Sequence, residues 1–268
     1  MSPSTRRLSG LLPERAMQTA VPKFAVVIPL RNEAANVGPL FEEIRAALAT
    51  GDAYEVVCVD DGSDDATAQL LAALASQHPW LRGFRSPRGR GQSAALATGV
   101  ARARAPWIVT MDGDRQNDPR DVPRLVAALA TELDRTPGVP VLVSGRRVRR
   151  RDSWTKRVAS RVANAVRGAI LGDRTTDTGC GLKAFRREDF ARIPHFDHLH
   201  RFLPALFLRA GGRVVAVDVS HRERSAGRSN YGVLDRLWVG IVDLIGVWWL
   251  MRRRCDTSAE PIDAAPPS

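Results

Sequence analysis

The chain has only three cysteines, Cys58, Cys180 and Cys255, in 268 residues. Their spacing gives neither a paired disulfide frame nor a zinc knuckle, and a reducing compartment is the expected setting. Lysine is scarce too. Lys23, Lys156 and Lys183 are the only ones, so the net charge of +11 rests on arginine and must face phosphate, nucleic acid or anionic lipid. No apolar run reaches the roughly twenty residues that a bilayer span requires. The first segment, Met1 to Ala20, carries Arg6, Arg7 and Arg15 without a continuous apolar stretch, so it does not read as a secretory signal. Internal repeats are absent.

What is present is a 44% hydrophobic complement, enough for a full core, arranged in alternating periods. Phe24 to Pro29, Tyr54 to Asp60, Leu81 to Arg85, Trp107 to Met111 and Val139 to Ser144 read as strands. Between them, Glu33 to Leu48 sets Val37, Leu40, Phe41, Ile44 and Leu48 at helical spacing. Ser63 and Asp64 offer a cap for a helix to about Gln77, and Gln92 to Ala103 and Pro119 to Leu133 complete the series. This alternation predicts an α/β, Rossmann-like architecture: a mostly parallel sheet flanked by helices. The expected organisation is a flexible arm over 1–22, one domain over 23–231, an apolar interfacial helix over 232–254 and a disordered tail over 255–268.

In such a sheet, ligands sit beyond the carboxyl ends of the strands. Three strand ends here carry polar and acidic groups: Pro29-Leu30-Arg31-Asn32-Glu33, then Asp60-Asp61-Gly62-Ser63, then Asp112-Gly113-Asp114-Arg115-Gln116. The D-x-D pair Asp112 and Asp114 suits one hard divalent cation, with the Gln116 amide oxygen as a further ligand and a diphosphate completing the shell. Asp61 is expected to organise its own turn with Ser63. His195, His198 and His200 match no metal-binding spacing and read as structural. From Arg146 to Arg174, ten basic residues accompany apolar positions at helical spacing, which predicts a basic amphipathic helix.

Taken together, and with Gly91 to Gly99 (GQSAALATG) between them, these motifs resemble the family 2 glycosyltransferases of GT-A fold. Within that family the sequence is similar to the dolichyl-phosphate mannosyltransferase branch and its bacterial polyprenyl-phosphate relatives, from about Phe24 to Tyr231. The resemblance implies that Pro29, Arg31, Glu33 and Gly113 border the nucleotide sugar, that Asp60 contacts the base, and that Asp112, Asp114 and Gln116 hold Mg2+ or Mn2+. Ser144-Gly145-Arg146 and Ser160-Arg161 with Asn164 match its phosphate-facing arginines, while Arg147, Arg149, Arg150 and Arg151 read as solvent or headgroup contacts. Asp177 to Phe185 matches its acceptor-side loop, where Asp177 would orient an arginine or the acceptor. His221 to Tyr231 matches its H-x-x-R-x-x-G-x-S-K-Y lid, with Arg224 and Arg228 as phosphate clamps and Asn230 in place of the usual lysine.

The expected activity is inverting transfer of a sugar, mannose from GDP-mannose being the first choice, to a polyprenyl phosphate on the cytoplasmic face of a membrane. A phosphate monoester has a second pKa of about 6 and attacks without strong base assistance. The Q-x-x-R-W signature of processive synthases is missing, which disfavours transfer to a sugar hydroxyl. Leu30 to Asn36 stands where a pyrophosphorylase would carry a glycine-rich loop. A non-catalytic basic lipid-binding protein is the alternative of different class, whereas acidic strand ends exclude nucleic acid as a partner. A homo-oligomer or a membrane-protein partner stays open. Leu237 to Met251, with Trp238, Ile241, Ile245, Trp248 and Trp249 before Arg252 to Arg254, reads as an interfacial helix.

Overall fold

The computed structural model describes residues 21–49, 51–148, 167–173, 175, 177–222 and 233–253, with the backbone alone for 233–238. Arg161, Arg224 and Arg228, most of the arm, the tail and most of the basic stretch lie outside these residues. Seven strands form one sheet: β1 Phe24–Leu30, β2 Tyr54–Asp60, β3 Leu81–Arg85, β4 Trp107–Thr110, β5 Val141–Arg147, β6 Lys183–Arg186 and β7 Arg213–Val219. Their order is β3-β2-β1-β4-β6-β5-β7, parallel throughout except for β6, which runs against both β4 and β5.

The helices that frame the sheet are α1 Ala34–Leu48, α2 Thr67–Gln77, α3 Gln92–Arg102, α4 Val122–Arg135, α5 Arg187–Arg192, α6 Leu203–Arg209 and α7 Val233–Arg252. Period-two alternation on β1 sends Val26 and Ile28 to one core, against Leu40, Phe41 and Leu125 of α1 and α4. Ala25 and Val27 face the other, with Leu96 of α3, Phe207 of α6 and Val247 of α7. Gly99 of α3 fits there because a methyl group would lie 2.4 Å from Val27.

The helix after β2 starts later than its expected cap. Asp65 accepts from the Thr67 amide at 2.9 Å, while Ser63 and Asp64 turn back to Asn32, whose amide donates to Ser63 Oγ at 2.9 Å. These bonds knit the ends of β1 and β2 into one rim. Four elements went unread in the sequence: β6, a four-residue strand inside what was expected to be a loop, the short helices α5 and α6, and β7 on the sheet edge.

Candidate active site

At the carboxyl edge of the sheet, β4 ends in Asp112-Gly113-Asp114. The Asp112 amide donates to Asn117 Oδ1 at 3.0 Å, and Asp114 Oδ1 accepts from the Gln116 amide at 3.1 Å, so the loop is wound on its own side chains. Gly113 is required by packing, since a Cβ there would stand 2.4 Å from Leu30 Cδ2. Gly181 lies still closer: a Cβ would overlap Asp112 Oδ2 at 2.2 Å and approach Asn117 Oδ1 at 2.8 Å. Glycine thus lets the 177–181 loop lie against the acid pair.

Burial, then the charge of Asp114, pushes the Asp112 carboxyl up to about 6, although Lys183, Arg147 and a 2.9 Å bond from Gln92 act the other way. Two carboxylates held together at this cost fit a divalent cation, whose charge would relieve it. Among the described residues no cluster of three His, Cys, Asp or Glu side chains offers a complete protein shell. Cation binding here would therefore draw on Asp112, Asp114, the side-chain amide oxygen of Gln116 and ligand oxygens.

Opposite the acid pair, Arg147 grips Asp177 through Nε at 2.8 Å and a second guanidinium nitrogen at 2.6 Å. Its side chain is only 14% exposed. The expectation that Arg147 meets only solvent or headgroups is corrected here. Alternation along the strand turns Arg147 towards Asp112, while Arg146 points the other way, half exposed and paired with Asp218 of β7 at 2.6 Å. Arg147 is not a solvent contact. Asp177 does orient an arginine, the one at 147. Beneath them, buried Lys183 donates to the Thr178 and Cys180 carbonyls, and burial lowers its pKa. Cys180 is buried with a raised pKa, which makes it a packing residue.

The β2 end also reverses an expectation. Asp60, fully buried, binds the Ser63 amide and hydroxyl and lies 3.1 Å from Arg85 Nε. Asp61, read as the turn organiser, instead accepts from the Arg90 and Gly91 amides at 2.7 and 2.8 Å and fixes the loop before α3. Its Oδ2 is 4.0 Å from half-exposed Arg31, whose guanidinium lies over Gly89, where a Cβ would be 2.4 Å away. Glu33 accepts from Asn36 at 2.5 Å, and Pro29 lines the same cleft as Asp112.

Residues 220–222 strap across the D-x-D loop. His221 bridges Asn117, the Arg222 amide donates to the Gln116 carbonyl, and the Arg222 side chain reaches Asp118 at 2.7 Å and Glu43 at 2.5 Å. His200, read from the sequence as structural, lines the cleft, with its Nδ1 2.8 Å from Ser93 Oγ.

The family model described as Glycosyl transferase family 2 matches residues 25–193. Dodecaprenyl-phosphate galacturonate synthase of Rhizobium johnstonii is 35% identical over 86% of this chain and 68% of its own length. Undecaprenyl-phosphate 4-deoxy-4-formamido-L-arabinose transferase of Aeromonas hydrophila is 33% identical over 81% of this chain. The chain spans 65% of that relative's length, about two thirds of either one. Glucosyl-3-phosphoglycerate synthase from Mycobacterium tuberculosis, solved with Mn2+, UDP-glucose and glycerol 3-phosphate, superposes with a TM-score of 0.61 at 23% identity, covering 94% of this chain and 88% of that one. That likeness concerns the fold, which is GT-A. With the family model spanning the sheet from β1 through α5 and the D-x-D loop at its expected strand end, the chain belongs to glycosyltransferase family 2.

Proposed function

We propose that the chain transfers a sugar from a nucleotide diphosphate sugar to a polyprenyl phosphate at a membrane surface, with inversion at the anomeric carbon. The observation that carries this reading is the approach of the buried Arg147–Asp177 pair to Asp112 of the acid pair, near enough for the Arg147 charge to act on the Asp112 carboxyl. Asp177 is engaged by Arg147 through both carboxylate oxygens and is poorly placed to act as a general base. A phosphate monoester acceptor needs no such base, being largely ionised near neutral pH.

When bound at Asp112, Asp114 and Gln116, Mg2+ or Mn2+ supplies Lewis-acid neutralisation of the departing nucleoside diphosphate. Arg147 holds a phosphate by a planar fork that keeps its charge at every working pH, and Asp177 fixes the plane of that fork. Gly179 and Gly181 let the loop backbone approach the ligand. Arg31, Glu33 and Pro29 border the nucleoside. Arg161, Arg224 and Arg228 remain assigned as further phosphate contacts from their motifs alone. Mannose is not carried forward as the sugar, because the relatives reported above are named for galacturonate and formamido-arabinose.

Membrane contact is assigned to α7. Its Leu244, Val247 and Met251 pack on the core, while Ile241, Val242, Ile245 and Trp249 are 42%, 52%, 60% and 53% exposed. Arg252 lies 4.1 Å over the Trp248 ring and Arg253 5.8 Å over Trp249, an aromatic and cationic end suited to anionic headgroups. No described helix is long and apolar enough to cross a membrane.

The test is direct. Purified protein, Mn2+ and vesicles containing undecaprenyl phosphate are incubated with radiolabelled UDP-galacturonate, UDP-glucose or GDP-mannose, and the organic extract is counted. Label in the extract from at least one donor is expected. Label confined to water-soluble products would contradict the lipid acceptor.

A further inference from the structure

His200 lies on the single 3-10 turn Leu199–Arg201 between α5 and α6, entered through His198 at φ 62°. It lines the cleft that also holds Asp112, Gln92 and Lys183. Ser93 Oγ accepts from the His200 amide at 3.4 Å and stands 2.8 Å from His200 Nδ1. Ser93 is buried, and Nδ1 is the acceptor within reach of its hydroxyl proton among the described residues, so satisfying that proton sends it to Nδ1. Burial, followed by the charges of Arg201, Lys183 and His198, lowers the imidazole pKa to about 3, so the ring is neutral at physiological pH. A neutral ring that accepts at Nδ1 carries its proton on Nε2. Nε2 has no hydrogen-bond partner among the described residues, and it is not one of the fully buried atoms left without one. It therefore opens onto the cleft as a donor.

We propose that His200 Nε2–H donates a hydrogen bond to an oxygen of the transferred sugar, making His200 a specificity-determining residue. This deepens the transferase reading above and rests on it. Gln92 and Ser93 are consecutive residues at the start of α3. The first holds Asp112 Oδ1 at 2.9 Å and the second holds His200, so one short frame sets both the acid pair and the imidazole. A donor whose diphosphate is bound at the acid pair carries its sugar on the adjoining atoms. Beside the charged groups that serve phosphate, an uncharged N–H matches a hydroxyl or carbonyl oxygen. A site that hydrogen-bonds a substrate oxygen rejects analogues lacking it, because its own polar group is then left unpaired.

The experiment compares two ligands on each protein by calorimetry with Mn2+ present: UDP-galacturonate, UDP-glucose or GDP-mannose, whichever labels lipid, and the corresponding UDP or GDP. His200→Phe is expected to weaken the nucleotide sugar roughly three- to tenfold, the value of one neutral hydrogen bond, and to leave the nucleoside diphosphate unchanged. His200→Gln, which keeps a neutral N–H of similar reach, should recover most of the loss. Ser93→Ala, which frees the tautomer, should weaken the same ligand by a smaller factor. Equal weakening of both ligands marks a structural role and overturns the proposal. So does unchanged donor binding with a raised acceptor KM, which would place His200 against the acceptor. A wild-type protein that binds nucleoside diphosphates but no nucleotide sugar would overturn the transferase reading itself.

Discussion

Asp112 works against stability while it serves binding. Its carboxyl titrates at about 6, above the ordinary value of 3.8, because burial and Asp114 disfavour the charge. The stability tied to this group is complete below about pH 4 and is lost as pH rises through about 6. Asp112→Asn should therefore raise the melting temperature of the metal-free protein by a few degrees at pH 8, with little change at about pH 3.5, while abolishing transfer. Calorimetry at the two pH values checks the sign. At β5, Arg147→Ala is expected to lower kcat roughly 100-fold by removing a preorganised charge, whereas Arg146→Ala stays within about twofold, an exposed pair being worth little. Equal losses in steady-state assays would refute the assignment of faces. Acidic turns after strands are common, so the D-x-D pair stood out in the sequence only through its company, three polar and acidic strand ends in order. The sequence could not separate Arg146 from Arg147, since period-two alternation says that neighbours face opposite ways but not which one meets the ligand. Nor could it tell which of Asp60 and Asp61 holds the Ser63 turn.

At the scale of elements, long apolar runs were readable and short or edge elements were not. β1 and β2 are buried along almost their whole length and announce themselves, whereas β6 has four residues and exists only through pairing with β4 and β5. β7 carried a visible signal in Val214, Val215, Val217 and Val219 that the reading passed over. Asp243 interrupts the apolar run of α7, and its carboxylate lies 2.9 Å from His198 Nδ1. This helix is both core and surface: one edge holds Val247 at 1% exposure, the other bares Trp249 at 53%. Replacing Trp248 and Trp249 with serine should leave circular dichroism unchanged and remove most sedimentation with anionic vesicles. Val247→Asp should instead destabilise the fold by buried-charge desolvation. Undiminished sedimentation of the folded double variant would move attachment to the basic stretch 146–174.

Across the whole molecule, the excess of arginine does structural work before any phosphate arrives. Burial raises the pKa values of Glu43 and Asp118, but hydrogen bonds from Arg115 and Arg222 to the first, and from Arg120 and Arg222 to the second, prevail and hold both low. The stability this supplies is present above the unfolded carboxylate values near 4 and is lost as pH falls below them. The urea midpoint should therefore drop between about pH 5 and pH 3, and Arg222→Ala should flatten that drop while loosening the strap over the D-x-D loop. A drop of the same size in the variant would show that the pairs contribute nothing. What most directly tests the molecule as a whole is acceptor chemistry. With the productive donor and Mn2+, the purified protein is given undecaprenyl phosphate or undecaprenol in matched vesicles, alongside Asp114→Ala. Label should enter lipid only with the phosphate, only with metal and only in the wild-type protein. Equal labelling of the alcohol, or undiminished transfer in EDTA or by Asp114→Ala, would contradict a metal-assisted attack by a phosphate nucleophile.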